Sequence, residues 1–374
     1  MDVSESVMQR YSQGARAREE SLCCPIDYDR GLLEALPQEI VERDYGCGDP
    51  SRYVQSGEVV LDLGSGGGKI AYMAAQLVGA EGRVIGVDMN DDMLALARKY
   101  RPEMAERLGG DRVGFVKARI QDLALDLEAL ADYLAAHPVA SVADLEALRA
   151  WEASARTQRP LIPDASVDLV ISNCVLNLVD DRDKTQLVRE IFRVLRPGGR
   201  VAISDIVSDE PVPEALKIDP ELWSGCISGA FQEEAFLQAF ADAGFAAVTY
   251  DKWEAEPWQV VEGIEFRSVT LTAVKPAGGP ALDQGHAVIY RGPYAEARDE
   301  QGQVFPRGAR IAVSEGGYRL LTEGAYGRDF IGIVPDAGVE PVAFGAPPGT
   351  RRPAAETKGA RHQAEKDSSG SCCG

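Results

Sequence analysis

Histidine is nearly missing from this sequence, with 3 in 374 residues, at His137, His286 and His362. They are scattered over regions of different character, so an imidazole acid–base group is not expected. No cysteine pair has the C-x-x-C spacing and no Cys/His set has zinc-module spacing, which excludes the common structural zinc sites. No apolar run is long enough to span a bilayer. The first twenty residues lack the apolar stretch of a signal peptide, so none is expected. Basic residues are short as well. Lys and Arg number 39 against 59 Asp and Glu, for a formal net charge of −20. That balance disfavours a nucleic-acid partner, which needs a positive surface. No Gly-Lys-Ser/Thr phosphate loop and no internal repeat is present. These absences predict a cytoplasmic, monomeric protein with no nucleic-acid or membrane partner, whose 7 cysteines are thiols rather than structural disulfides.

What is present is a strand, a tight turn and a helix. Val59-Val60-Leu61-Asp62-Leu63 runs straight into Gly64-Ser65-Gly66-Gly67-Gly68, and an apolar-periodic stretch over 70–78 follows. Glycines let the backbone approach a ligand, and the helix start leaves N–H groups free. A second β-type run, residues 83–88, ends in Asp88, about 20 residues after the glycines, where an acid accepts both hydroxyls of a ribose. Asp62 at the end of the first run repels a pyrophosphate and suits an ammonium group. Together, the glycine run after Leu61-Asp62-Leu63 and the later Val87-Asp88-Met89 resemble the class I S-adenosylmethionine-dependent methyltransferases. That likeness implies an α/β Rossmann-like, doubly wound sheet. Its candidate cofactor contacts are Asp62, Gly64, Ser65, Gly66, Gly68, Asp88 and Met89. Ile120, Gln121 and Asp122 join them in the turn after a third run, 113–117, and Asn173 after a fourth, 167–172.

The alternation of strands and helices predicts a mostly parallel sheet over residues 1–205. Residues 1–20 read as a polar helix, a candidate lid. A pair of amphipathic helices, 125–137 and 141–156, forms an insertion spanning 123–160. Residues 206–280 read as a second α+β lobe, with helices at 213–218 and 233–243 and strands at 245–252 and 266–274. Residues 281–344 read as a small β-rich domain with runs at 287–290, 310–313 and 318–321. Residues 345–374 lack apolar periodicity and are expected to be a disordered tail ending in Cys372-Cys373-Gly374.

The chemistry rests on sulfur. Cys174 follows the fourth strand, at the carboxyl edge where an acceptor belongs. Cys226 lies in a Gly/Ser-rich loop of the second lobe, and Cys23 and Cys24 lie in an N-terminal segment able to fold over the mouth. Any one of them reads equally as a small buried apolar residue. Thiols from separate segments around one cleft suit a soft, thiophilic acceptor, of which trivalent arsenic is one. Bound to thiolates it keeps a lone pair for the methyl, and no general base is required.

At these residues the chain resembles the arsenite S-adenosylmethionine methyltransferases. The matching segments are Tyr45-Gly46-Cys47-Gly48, Leu61-Asp62-Leu63-Gly64-Ser65-Gly66, Ser172-Asn173-Cys174-Val175-Leu176-Asn177-Leu178, Leu222-Trp223 through Gly229-Ala230, and the Cys372-Cys373-Gly374 ending. The resemblance implies that Cys174 and Cys226 hold As(III), that Cys24 or Cys23 is the third ligand, and that Cys47 is a relay thiol. A thiol reductant, glutathione or thioredoxin, is implied as co-substrate. Where the family carries a further relay cysteine, this chain has Ala71. Two other readings stay open: a methyltransferase of an organic small molecule, and a non-catalytic metalloid-binding protein.

Overall fold

The structure is a computed structural model that describes residues 3–16, 28–43, 45–279, 281–323, 325–335 and 339–357. Cys23, Cys24, Cys372 and Cys373 lie outside them. The chain divides into two units, residues 1–275 and 276–374.

The first unit opens with helices α1 (Val3–Arg16), α2 (Arg30–Glu34) and α3 (Gln38–Glu42). Pro37 separates the last two, where it serves as the N-cap of α3. The alternating core follows: β1 (Val59–Leu63), α4 (Lys69–Leu77), β2 (Arg83–Asp88), α5 (Asp91–Lys99), α6 (Arg101–Leu108) and β3 (Val113–Lys117). The inserted helices α7 (Leu127–Ala136) and α8 (Val142–Gln158) come next, then β4 (Val167–Asn173), α9 (Asp181–Val194) and β5 (Leu195–Ser208). The unit ends with α10 (Glu214–Lys217), α11 (Pro220–Ser224), β6 (Phe231–Gln232), α12 (Glu233–Asp242), β7 (Ala246–Trp253), β8 (Gln259–Val261) and β9 (Ile264–Val274).

The sheet order is β3-β2-β1-β4-β5-β9-β7, with β6 beside β5 and β8 beside β9. The first five strands are parallel and β9 runs antiparallel to its neighbours. Parallel strands covered on both faces need near-continuous apolar runs, and β1 and β4 supply them, with Val60, Leu61, Leu63, Leu169, Val170 and Ile171 fully buried. Each such side chain contributes roughly 1.5–3 kcal/mol on burial. The order reverses between β1 and β4, and in doubly wound sheets ligands bind at that switch point, outside the strand carboxyl ends.

One expectation changes here. Residues 206–280 were expected to form an α+β lobe of their own, yet their two long strands extend the same sheet. β9 pairs with β5 over nine successive residues, from Arg200↔Val274 to Ser208↔Phe266. The run Val269, Leu271, Ala273 is buried in the main core, so those side chains find their partners in the first domain. Only α10, α11 and the loop to β6 remain as a cap over the strand ends.

The insertion has the two helices expected, and neither buries a single residue. Its neck is closed by backbone bonds from Leu161 to Ala124 and Ile162 to Leu123, both 3.0 Å.

The second unit contains β10 (Leu282–Asp283), β11 (Ala287–Tyr290), β12 (Glu296–Arg298), β13 (Val304–Pro306), β14 (Arg310–Ala312), α13 (Glu315–Glu323), β15 (Phe330–Ile333) and β16 (Val342–Ala343). A three-stranded sheet β14-β11-β15 encloses a core of Val288, Phe305, Ile311 and Phe330. The run 318–321, expected as a strand, lies in α13. Tyr318 and Leu321 are three residues apart and pack into this core together, which is helical spacing. Residues 345–357, expected to be disordered, are ordered by polar contacts instead. Arg352 binds both carboxylate oxygens of Asp283 at 2.7 Å, and its N–H bonds Arg310 O at 3.0 Å. Apolar periodicity carries no trace of such pairing.

Candidate functional site

A cleft of about 980 Å³, counting its open mouth, lies at the carboxyl ends of the strands. The turn after β1 forms its floor. Gly64 has φ +66°, and a Cβ there would collide with the Val175 side chain. At Gly66, φ +51°, a Cβ would meet no atom nearer than Met93 Sδ at 3.9 Å, so that glycine leaves open space inside the cleft. Asp88, at the end of β2, accepts from Gly66 N and Asn90 N, both at 2.8 Å. Burial pushes its carboxyl above the ordinary range. A bound ribose offers hydroxyl donors to such a carboxylate. Asn90 caps α5 by accepting from Asp92 N and Met93 N. Ala118, Ile120 and Gln121 form the wall beyond Met89.

The lining joins Gly64, Gly66, Asp88, Met89, Ile120, Gln121 and Cys174 of the expected set. Asp62, Ser65, Gly68 and Asn173 do not line it. Asp62 is buried within β1 behind the turn, 2% exposed. Asp122 is drawn away to Arg156 of α8, 2.9 Å. Asn173 turns the other way. Its Oδ1 accepts from Cys47 N at 2.9 Å and Gly48 N at 3.0 Å, which pins the Tyr45-Gly46-Cys47-Gly48 loop against β4. Ser268 Oγ holds the same loop through Cys47 O at 2.5 Å.

The sulfurs meet at the inner end of the cleft. Cys174 lines it, and Cys226 packs directly beneath, its Sγ 3.4 Å from Cys174 O. Cys47 Sγ, Cys174 Sγ and a carboxylate oxygen of Asp205 all lie within 4.8 Å of one another. None of these cysteines forms a disulfide. Both Cys174 (φ 62°) and Cys226 (φ 64°) occupy the left-handed region, which costs a non-glycine residue roughly 1–3 kcal/mol and concentrates at functional sites. Surrounding bonds hold them there. Cys174 N donates to Ser204 O at 2.8 Å and Cys226 N to Trp223 O at 3.0 Å. Asn177 Nδ2 ties Ile206 O, 2.6 Å, to Cys226 O, 3.4 Å.

Burial raises the Cys174 thiol well above its ordinary value, and the hydrogen bond to Cys174 followed by burial does the same to Cys226. Burial also lifts Asp205 to about 6, although its two oxygens accept from Leu176 N at 2.9 Å and Ile206 N at 2.8 Å. The site is therefore a pocket of neutral, polarizable thiols beside a buried carboxyl.

Sequence reasoning missed Tyr11, Met8, Asn90, Tyr45, Val175 and Asp205. Helix α1 crosses the mouth as the expected lid. Val7, Met8 and Tyr11 line the cleft. Asn90 Nδ2 donates to Met8 O (3.1 Å) and Ser12 Oγ (3.0 Å), while Arg10 donates to Glu221 O and Ser224 Oγ, both 3.0 Å. One helix thus joins the cofactor side to the cap that carries Cys226. Its only sequence signal was a polar, helical N-terminus, without a partner face.

Comparison with known proteins agrees with this geometry. The methyltransferase domain family matches residues 54–244, and a domain of unknown function matches residues 277–362. An arsenite methyltransferase of Aquipseudomonas alcaligenes is 32% identical over 331 residues, covering 81% of this chain and 85% of that protein. The arsenite methyltransferase of Mus musculus is 30% identical over 326 residues, covering 83% and 76%. The crystal structure of an arsenic(III) S-adenosylmethionine methyltransferase from Chlamydomonas reinhardtii superposes with a TM-score of 0.57 at 28% identity, covering 86% of this chain and 99% of that one. With a glycine turn and Asp88 shaped for the cofactor, and thiols gathered at its inner end, the chain belongs to the arsenite methyltransferase family.

Proposed function

We propose that this protein transfers a methyl group from S-adenosylmethionine to trivalent arsenic held by Cys174 and Cys226. The observation that carries the reading is Cys174 in the wall of the cofactor cleft with Cys226 Sγ packed beneath it, 3.4 Å from its carbonyl oxygen. When bound, the cofactor supplies an electrophilic methyl on its sulfonium. The residues that would hold it are Gly64 and Gly66 beneath, Asp88 at the ribose, and Met89, Ile120 and Gln121 around the base.

Arsenite enters as a hydroxide. Each thiol that binds it gives its proton to a departing hydroxyl, so one As–S bond and one water form per As–O bond broken. Two or three thiolates leave arsenic one lone pair, which forms the As–C bond as the methyl–sulfonium bond breaks. The third ligand expected, Cys24 or Cys23, lies outside the described residues. Cys47 is the thiol that stands next to Cys174 among those described, and a third sulfur from either source completes a trithiolate. The transfer raises arsenic formally by two electrons. Two thiolates joining as a disulfide return them, and a thiol reductant of the glutathione or thioredoxin class restores the pair. No helix among the described residues is long and apolar enough to cross a membrane, in keeping with a small dissolved substrate.

The test supplies arsenite, methyl-labelled cofactor and glutathione, and separates the arsenic species. Label must appear in methylated arsenic with matching release of S-adenosylhomocysteine. Cofactor turnover on an organic acceptor with none on arsenite would sink the reading.

A further inference from the structure

Asp205 is the group at the sulfur end that the methyl transfer leaves unused. It is 1% exposed. Its oxygens accept from Leu176 N at 2.9 Å and Ile206 N at 2.8 Å, and each keeps a further lone pair after one such bond. Among the described residues no lysine or arginine forms an ion pair with it. Lys184, whose charge it feels, is bonded instead to Asp181 and Gly229 O, both 2.6 Å. Buried carboxylates are otherwise paired or bound to a metal. Two sulfurs stand beside this one, with Cys47 Sγ, Cys174 Sγ and an Asp205 oxygen all within 4.8 Å of one another.

Rigid elements bring the three together. In the parallel register of β4 and β5, Asn173 pairs with Ser204, so Cys174 and Asp205 come next on adjacent strands. Cys174 N donates to Ser204 O at 2.8 Å. Cys47 arrives on the loop that Asn173 Oδ1 and Ser268 Oγ pin, at 2.9 and 2.5 Å. The two N–H bonds to Asp205 orient its carboxylate, as outer partners orient metal ligands.

We propose that Cys47, Cys174 and Asp205 form a zinc site, filled when arsenic is absent and emptied when arsenite takes Cys174. The site goes beyond the arsenic reading and stands without it, since it needs only these three side chains. Two thiolates and a carboxylate suit a borderline-soft, tetrahedral divalent ion. Around zinc such ligand atoms lie roughly 3.5–3.8 Å apart, so the set closes by about 1 Å at most. Each thiol gives up its proton to form its Zn–S bond, and about two protons leave per ion bound. Cys174 lines the cleft, which gives the ion a way in and its fourth position a water. Zinc therefore competes with arsenite for one sulfur, and Asp205, outside the arsenic set, belongs to the zinc state alone.

The test uses cobalt(II) as the coloured stand-in and zinc for affinity, on the full-length protein kept reduced by a phosphine. One equivalent of cobalt gives tetrahedral d–d bands and a thiolate-to-metal charge-transfer band, and zinc bleaches both. Cys47→Ser removes about half of the charge-transfer intensity, since one of two sulfurs is lost. Asp205→Asn raises the zinc Kd more than tenfold, about the least that even an outer partner is worth. Cys226→Ser leaves the bands in place. So does serine at Cys23, Cys24, Cys372 and Cys373 together. No thiolate band in the wild type, a full band in Cys47→Ser, an unchanged zinc Kd in Asp205→Asn, or loss of the band with the four serines each overturns the site. Thermal unfolding accompanies each variant, and Cys47→Ser carries the test if Asp205→Asn does not fold. Arsenite added to the cobalt form bleaches the bands, and in turnover zinc raises KM for arsenite without lowering kcat. Arsenite that binds and leaves the bands intact overturns the competition. Cobalt bound at Cys47 and Cys174 in a protein that binds no arsenite removes the arsenic reading and keeps the zinc site, whereas arsenite binding without a cobalt–thiolate band removes only the zinc site.

Discussion

The two ends of the cleft are built in different ways. The cofactor end comes from consecutive turns of one alternating unit, at Gly64, Gly66, Asp88, Met89, Ile120 and Gln121, all within 58 residues of chain. Every contact there follows from being the turn after a parallel strand. The sulfur end draws Cys47, Cys174, Asp205 and Cys226 from four separate segments, and places two of its cysteines in left-handed backbone. The first is a consequence of topology, which any doubly wound sheet provides. The second is assembled residue by residue at a cost in strain. General machinery occupies one end and substrate choice the other, so the ends should be separable by mutation.

The strongest separation is expected from the thiols. Cys174→Ser and Cys226→Ser each lower methyl transfer to arsenite about a hundredfold, because a hydroxyl is a hard, poorly ionised donor for a soft acceptor. Cofactor Kd stays within about twofold, since Cys174 only edges that end of the cleft. Product formation and calorimetry check both halves, and a serine variant with wild-type turnover breaks the comparison outright. The converse is Asp88→Ala, for which cofactor Kd rises about thirtyfold through lost charged hydrogen bonds, while arsenite binding without cofactor is unchanged. Coupled losses in both titrations show instead that the ends form one unit.

Acidity sharpens the contrast. Burial holds the Cys174 thiol above its ordinary range, and the interaction with Cys174 followed by burial does so for Cys226, so the ionised fraction is small at neutral pH and grows up to about tenfold per unit. Stopped-flow association of arsenite accelerates with pH between about 6 and 8.5, without levelling at the ordinary thiol value near 8.5. Cofactor association stays flat over the same window, and a plateau in the arsenite rate below about pH 8 contradicts the buried-thiol picture. The smallest effect belongs to the insertion. Replacing residues 127–158 by a short Gly/Ser turn across the Leu161–Ala124 neck removes the ion pairs Arg98–Glu128 and Arg156–Asp122. Exposed pairs of this kind contribute roughly 0.2–1 kcal/mol each. Turnover stays within about twofold, measured as S-adenosylhomocysteine release, and a larger loss gives the helices a share in the site.

Local pattern explains how far the reading from residues reached. Strands β1 to β5 and the helices between them were legible because burial on both faces demands apolar runs, and glycine punctuates their turns. The placement of β9 was not. A run such as Ile264–Val274 pairs equally well with a sheet of its own or with another, and only the fit against β5 decides. The same holds for polar side chains. Asn173 and Asn177 flank Cys174 in one short motif, yet one pins the Cys47 loop and the other the Cys226 loop. Nothing in their spacing says so.

The residues alone determined a nucleoside-type cofactor beside a thiol chemistry, because glycines, an acid two strand-ends away and cysteines at loop edges are choices made position by position. Which sulfurs touch, which acid keeps them company and which helix closes above them were settled only by tertiary packing. The bonds that tie α1 to the cap carrying Cys226 join positions up to 214 residues apart, and no periodicity along the chain records what a fold brings together across it.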